Sequence, residues 1–231
     1  MSRVISSLQE LYLHKLQTLV DTERLIALSL PLMIEAASHA DLQRAFHVHL
    51  QQTEEQERRL EPLLADLGHE FQAADCPSIR GIIEEGQLLM KRVQDPSVRD
   101  AALIASAQAV EHHEIAAYGT ARAWALQLGL GEHARVLERT LREEEETDRL
   151  LTELAERLVN HDAEQRGTDR QLAREAMVGD RTGTATSGLS TGRAPGIGGD
   201  LGAGSTGSVG QHFVDGDHSP TGQPMRDYDG R

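Results

Sequence analysis

Five acidic residues stand where a helical sequence should bury apolar ones. Side chains spaced alternately three and four apart share one face of a helix. Taken that way, one segment runs Tyr12, Leu16, Leu19, Glu23, Ile26, Leu30, Met33, and a second runs Leu42, Phe46, His49, Thr53, Gln56, Leu60, Leu63. A third runs Ile104, Ala107, Glu111, Glu114, Tyr118, Ala121, Ala125, and a fourth runs Leu137, Leu141, Glu144, Asp148, Leu151, Ala155, Leu158. Each stripe is apolar at both ends and polar in the middle. One carboxylate on such a stripe ordinarily sits at its edge with its head in water. Coincident interruptions in every stripe call for a common cause.

Burying Glu23, Glu111, Glu114, Glu144 and Asp148 together without partners would cost on the order of several kcal/mol per charge, or would force protons onto them. The chain's lysines, Lys15 and Lys91, fall elsewhere, and the stripes place no arginine at that depth. Two divalent cations would roughly balance the five carboxylates. Glu111 with Glu114, and Glu144 with Asp148, are close enough along a helix to converge on the same ions. Carboxylates suit hard or borderline cations such as iron and manganese, and a site incompletely filled by protein can take oxygen or peroxide. The expected chemistry is therefore redox or iron handling by a centre of two metal ions.

Four long helices must position these residues. The first is expected from about Arg3 to Ala37, with Pro31 kinking or loosening its last turns. Ser38 to Asp41 supplies a turn and an N-cap for the second, which Gly68 closes after about Leu67 and Pro62 bends near its end. Residues 68–77 read as a loop, and SIRGIIEEGQLLMKRV as a short crossover helix. Asp95 before Pro96 starts the third helix, which continues to Leu128 and the turn GLG. The fourth is expected from near Glu132 to about Asn160. One long connection among short turns is the topology of an all-α four-helix bundle with a single crossover, here spanning residues 1–161. Residues 162–231 are expected to be a flexible Gly/Ser/Thr-rich tail, too poor in apolar side chains to offset their ordering entropy.

The formal net charge of -14 argues against nucleic acid and anionic membranes as partners. No run of apolar residues is long enough to span a bilayer, and the N-terminus passes straight into helical patterning without the apolar stretch of a signal peptide, so a cytoplasmic location is expected. Cys76 is the single cysteine, which excludes an internal disulfide and thiolate clusters. A metal here must be held by oxygen and nitrogen.

Several stretches resemble the YciE/YciF family of stress-associated ferritin-like proteins: AALIASAQAVEHHEIAAYGTARAWALQLGL, TLREEEETDRLLTELA and CPSIRGIIEEG, joined by VDTE around Glu23 and FHVHLQQTEEQERRLE. The resemblance covers about residues 8 to 160, and VEHHEIAAYGT is its most specific part. It implies a ferritin-like bundle, commonly a homodimer, related to rubrerythrin and the ferritins, with a di-iron centre and a role in stress. Glu23 then matches the single glutamate of the first helix, and Glu111 with Glu114 resembles the paired glutamates of rubrerythrin's third helix. Ferritin-like sites usually carry a glutamate and a histidine one turn apart on the second and fourth helices. Here those positions hold Thr53 with Gln56, and Glu144 with Thr147 or Asp148, while Gln52 stands where the family often has glutamate.

The metal candidates are thus Glu23, Glu111, Glu114, Glu144, Asp148 and Gln56, with His49 and Gln52 as alternates on the second helix. His49 can be read as a ligand or as a hydrogen-bonded neighbour of the ligands. His112 and His113 are turned about 100° off the stripe, which suits a surface or subunit contact. Tyr118 reads as a core tyrosine or as a hydrogen-bond or electron donor to the centre, and Trp124 as packing or part of a dimer surface. Glu143 to Glu146 form a solvated face except for Glu144. Nothing near Cys76 in sequence suggests a lowered pKa, and His212 and His218 are too sparse for a metal tract.

Two functions remain open on these residues, and none of them is separately identifiable as catalytic. The first is a di-metal carboxylate protein, of ferroxidase or peroxidase type, that oxidises Fe(II) or consumes peroxide, with oxygen or peroxide as its small substrate. The second is a metal-poor helical dimer with a structural or partner-binding role, favoured by the neutral side chains at Gln52, Thr53 and Gln56.

Overall fold

The computed structural model describes residues 4–182, and among them every regular element is helical. Helix α1 spans Leu8–Ala36. Its start is fixed by Ser7, whose hydroxyl accepts from the Glu10 amide at 3.1 Å, while the Glu10 carboxylate accepts from Ser6 N and Oγ at 2.8 Å. Pro31 does not end the helix. It lies on the exposed side, where water can satisfy the carbonyl its missing N–H leaves free.

Helix α2, Ala40–Asp66, is capped by His39, whose Nδ1 accepts from the Asp41 amide at 3.2 Å. The turn before it is tied to a distant helix. Asp100, buried at 3 % exposure, accepts from Ser38 N at 2.8 Å, Ser38 Oγ at 2.6 Å and His39 N at 2.9 Å. Gly68, at φ 74°, closes α2, with its amide and that of His69 donating to Ala65 and Leu64 carbonyls. Helix α3, Pro77–Arg92, is the short crossover helix, and helix α4, Pro96–Gln127, starts at Asp95, whose carboxylate accepts from the Ser97 and Val98 amides. Gly86 lets α3 approach α4: a Cβ there would lie 3.2 Å from Ser106 Cβ.

After the turn at Gly129, also at φ 74°, helix α5 runs Gly131–Leu154, a π-helical turn covers Ala155–Val159, and helix α6 continues over Asn160–Thr182. The fourth helix of the bundle therefore does not stop near Asn160. Residues 160–174 hold Arg, Gln and Ala in number, which favour helix without an apolar stripe to announce it. Arg170 anchors this extension by an ion pair of 2.8 Å to Asp95. Of the expected tail, residues 183–231, including His212 and His218, lie outside the described residues.

The bundle pairs α1 with α2 and α4 with α5, and lays α3 against α4 and α1. Its core is divided. One apolar cluster gathers Tyr12, Leu16, Leu60, Tyr118 and Leu137 toward one end, and the other gathers Ile26, Phe46, Leu103, Ile104 and Leu151 toward the opposite end. Along every helix the polar stripe positions fall between the two. This is a ferritin-like four-helix bundle with one long crossover holding a short helix. Among the described residues, no helix is long and apolar enough to cross a membrane.

Candidate metal centre

The layer between the apolar clusters is acidic and buried. Glu23, His49, Thr53, Gln56, Glu111, Glu114 and Glu144 are all buried, none above 3 % exposure. α1 contributes Glu23, α2 contributes His49, Thr53 and Gln56, α4 contributes Glu111 and Glu114, and α5 contributes Glu144. One donor atom each from His49, Glu111, Glu114 and Glu144 lies within 4.8 Å of the others. Glu23 joins them through electrostatic coupling to Glu114 and Glu144.

The contacts that do exist leave most of the donor capacity unused. The Tyr118 hydroxyl donates to Glu23 Oε1. Gln56 Nε2 donates to Glu144 Oε1 and, at 3.1 Å, to Glu143 Oε2. His49 Nε2 lies 3.2 Å from Glu111 Oε1, without hydrogen-bond alignment. Unpartnered and buried are Glu23 Oε2, Glu111 Oε2, both oxygens of Glu114, Glu144 Oε2, Gln56 Oε1, Thr53 Oγ1 and both ring nitrogens of His49. Buried polar atoms are ordinarily paired. Among the described residues, no lysine or arginine forms an ion pair with these four glutamates; Arg59, on the same flank, pairs with Glu143 at 2.6 Å.

Electrostatics follow from that geometry. Burial, then the neighbouring carboxylates, raises Glu111 and Glu114 well above the usual carboxylate range. Burial and Glu144 raise Glu23 likewise, against an opposing hydrogen bond from Tyr118. Burial raises Glu144 to about 7, with the Glu111 and Gln56 hydrogen bonds holding it back. Burial lowers His49 to about 4, so its imidazole is neutral and free to ligate. Burial also raises Tyr118, reinforced by Glu23. A set of carboxylate oxygens with one neutral imidazole, mostly unpartnered and uncompensated, fits hard or borderline divalent cations.

The remaining sequence candidates fall at the margin. Asp148 is half-buried, accepts from Gln108 Nε2 at 3.1 Å and lies 3.6 Å from His112 Nε2, outside the four-donor group. Gln52 is half-buried one turn from Gln56. His112 is exposed, whereas His113 is half-buried with Nε2 3.8 Å from Cys76 Sγ. That contact overturns the expectation for Cys76. Burial alone would raise its thiol, but hydrogen bonds from His113, Ser78, the Ile79 backbone and Thr22 bring it down to about 6. The pairing joins residues 37 positions apart, so local sequence carried no sign of it. A further polar chain lies beyond the acidic layer: the buried Tyr12 hydroxyl is 3.1 Å from His133 Nδ1, and His133 Nε2 is 3.5 Å from Asp66.

Comparison with known proteins places these features in a lineage. Residues 7–164 match a family model described as a domain of unknown function, DUF892. Protein YciF of Escherichia coli K12 is 37 % identical over 161 residues, which are 69 % of this chain and 97 % of that protein. The crystal structure of the E. coli stress protein YciF superposes with a TM-score of 0.65 at 36 % identity, over 68 % of this chain and 99 % of that one. The structure of YcfI from Rhodopseudomonas palustris superposes with a TM-score of 0.64 at 39 % identity, over 66 % and 97 % of the two chains. A Xanthomonas campestris protein at 21 % identity and a TM-score of 0.56 shares the fold, over 70 % and 99 % of the chains.

Proposed function

The chain belongs to the DUF892 family, and from that premise we propose that it is a cytoplasmic, homodimeric, stress-associated protein whose acidic layer holds two metal ions, iron before manganese. The observation that carries this reading is the set of unpartnered buried oxygens and imidazole nitrogens on four helices, which no lysine or arginine among the described residues meets in an ion pair. The stress association comes from the likeness to the E. coli stress protein YciF. The functional part is the bundle of residues 1–161; of the expected tail 162–231, the stretch to Thr182 continues the fourth helix.

Glu23, Glu111, Glu114, Glu144 and His49 are the residues to hold the ions. Gln56 orients Glu144 by its amide, and Asp148 and Gln52 stand at the rim. Bound iron would supply one-electron chemistry toward oxygen or peroxide, as a ferroxidase or a peroxidase-type centre. The residues themselves hold and release protons. The raised pKa values of these four glutamates let them hold protons in the metal-free protein and give them up when a cation replaces them. Tyr118 holds one oxygen of Glu23 in place and leaves the other to turn toward the centre. The apolar clusters on either side lower the local dielectric, which strengthens every charge interaction within.

The same raised pKa values favour a second reading. Protonated carboxylates can occupy this layer without metal, as a metal-poor helical dimer with a structural or partner-binding role would require. Metal analysis of untagged protein, followed by anaerobic Fe(II) titration and exposure to air or peroxide, separates the two. About two metal ions per chain, and an oxo-bridged absorption after exposure, are expected. Absence of both leaves the second reading. In either case Glu111→Gln with Glu114→Gln should leave the metal-free protein equally or more stable, and under the first reading alone it abolishes metal uptake.

A further inference from the structure

A cavity of about 420 Å³ opens between α1, α3 and α4 and reaches the acidic layer. Its walls are almost wholly apolar, built from Ile26, Leu30 and Met33 of α1, Ile83 of α3, and Leu103 and Val110 of α4. His49 and Glu111, both in the four-donor group, also line it, and the exposed Gln87 and Lys91 stand at its α3 side. The volume falls within the range of about 300–1,000 Å³ typical of small-molecule sites, and an apolar wall with a few convergent polar groups is their usual composition.

A channel for water, metal ions or hydrogen peroxide alone has no need of such a wall. Dry apolar surface disfavours small polar species and rewards burial of hydrocarbon. Two features set the orientation of an occupant. His49 is 3 % exposed with both ring nitrogens unpartnered, and Glu111 Oε2 is likewise unpartnered, so a polar group arriving there gains partners the protein does not supply. Lys91 is exposed and already solvated, so it gains little from an anionic head.

We propose that this cavity is a binding site for an apolar molecule bearing one neutral oxygen-containing head group, an alkyl or aryl alcohol or hydroperoxide, which enters head first and presents its oxygen to His49 and Glu111. The functional meaning rests on the metal-centre reading, because it sets the head group beside that centre. Binding itself does not, since it can be measured on metal-free protein. The small side chains of Ala107 and Ser29 keep the space open on α4 and α1.

The test is calorimetric titration of chelator-treated full-length protein with straight-chain alcohols from pentan-1-ol to octan-1-ol, and with octanoate. Burial of each added methylene should tighten the Kd roughly fourfold. Ala107→Phe, which fills the inner part, and Ser29→Leu, which fills it from a half-buried position and spares the core, should each weaken octan-1-ol at least tenfold. Octanoate should bind at least tenfold more weakly than octan-1-ol, since its charge would be buried in an apolar cavity with no cation at its inner end. No chain-length dependence, or octan-1-ol affinity unchanged in a folded Ser29→Leu variant, overturns the proposal. Octanoate binding more tightly, and losing that advantage in Lys91→Ala, overturns the head-first orientation. If sedimentation shows octan-1-ol splitting a dimer, the cavity is an intersubunit surface and the proposal falls. Octan-1-ol binding in a protein that takes up no metal retains the site and removes the metal reading. Stoichiometric metal without alcohol binding removes the site alone.

Discussion

Gln56 on α2 faces Glu144 on α5 in the buried middle of the bundle, its amide donating to the carboxylate and also to Glu143. A neutral amide thus stands where α2 would otherwise bring another charge, and it fixes the oxygen of Glu144 that it touches while leaving the other unpartnered.

Gln56→Glu converts this pairing into a repulsion. In metal-free protein the variant should lose roughly 3 kcal/mol of stability, the cost of an uncompensated buried charge. Added Mn(II) or Fe(II) should restore it and bind at least tenfold more tightly than to the unaltered protein, because the new carboxylate adds a donor. Thermal melts with and without metal measure both effects. A metal affinity unchanged by the substitution would exclude Gln56's position from the centre.

The pH dependence of stability should be inverted relative to most proteins. Glu23, Glu111, Glu114 and Glu144 have folded pKa values raised above their ordinary 4.5, so above that pH the unfolded chain binds fewer protons than the folded one. Stability is then full below about 4.5 as far as these groups are concerned, and falls as pH rises through their folded pKa values. His49 acts oppositely between about 4 and 6.5, but it is one group against four. The unfolding free energy of chelator-treated protein should drop from about pH 5.5 to about pH 8, by at least the ~1.4 kcal/mol that one shifted unit represents, and its Tm should fall with it. Metal-saturated protein should show the reverse, since ligation requires deprotonation. A Tm of the chelated protein that climbs over the same interval would contradict the protonated layer.

Asp100→Ala should destabilise without touching the centre. Its carboxylate accepts three hydrogen bonds from the α1–α2 turn, and their loss leaves buried donors, at a cost of about 3 kcal/mol. Denaturant unfolding should register that loss while metal stoichiometry stays the same. A stability within about 0.5 kcal/mol of the parent would mean that water replaces the carboxylate at no cost.

Cys76 should titrate near pH 6 rather than in the ordinary thiol range. His113→Ala removes the first of the hydrogen bonds that oppose burial, so the midpoint should move upward. Thiolate ultraviolet absorbance against pH reads both. An unmoved midpoint in the variant would assign the lowering to Ser78 and the backbone instead.

What the sequence disclosed was whatever a single helix face encodes. The acidic layer was legible because Glu23, Glu111, Glu114 and Glu144 each interrupt an apolar stripe on their own helix, and the turns at Gly68 and Gly129 carry their own residue signatures. Relations between helices were not. His49 reaches Glu111, and His113 reaches Cys76, only once the relative heights of α2, α3 and α4 are set by packing. Asp148 shares a stripe with Glu144, but an advance of four residues rotates about 40° around a helix, enough for Gln108 and His112 to meet it at the rim. The extension beyond Asn160 carries no stripe because its residues to 174 are almost all exposed, and a solvated helix needs no apolar period.

The divided core reverses the usual order of fraying. A helical bundle ordinarily opens from its ends, where contacts run out and backbone groups meet water. Here hydrocarbon packs both ends, and the layer between is bonded mainly by Tyr118 to Glu23 and Gln56 to Glu144. Without a cation, the midsection is the soft stratum of the molecule and its two ends are the firm ones. A bound ion would act as a rivet through all four helices, turning the weakest plane of the bundle into its strongest.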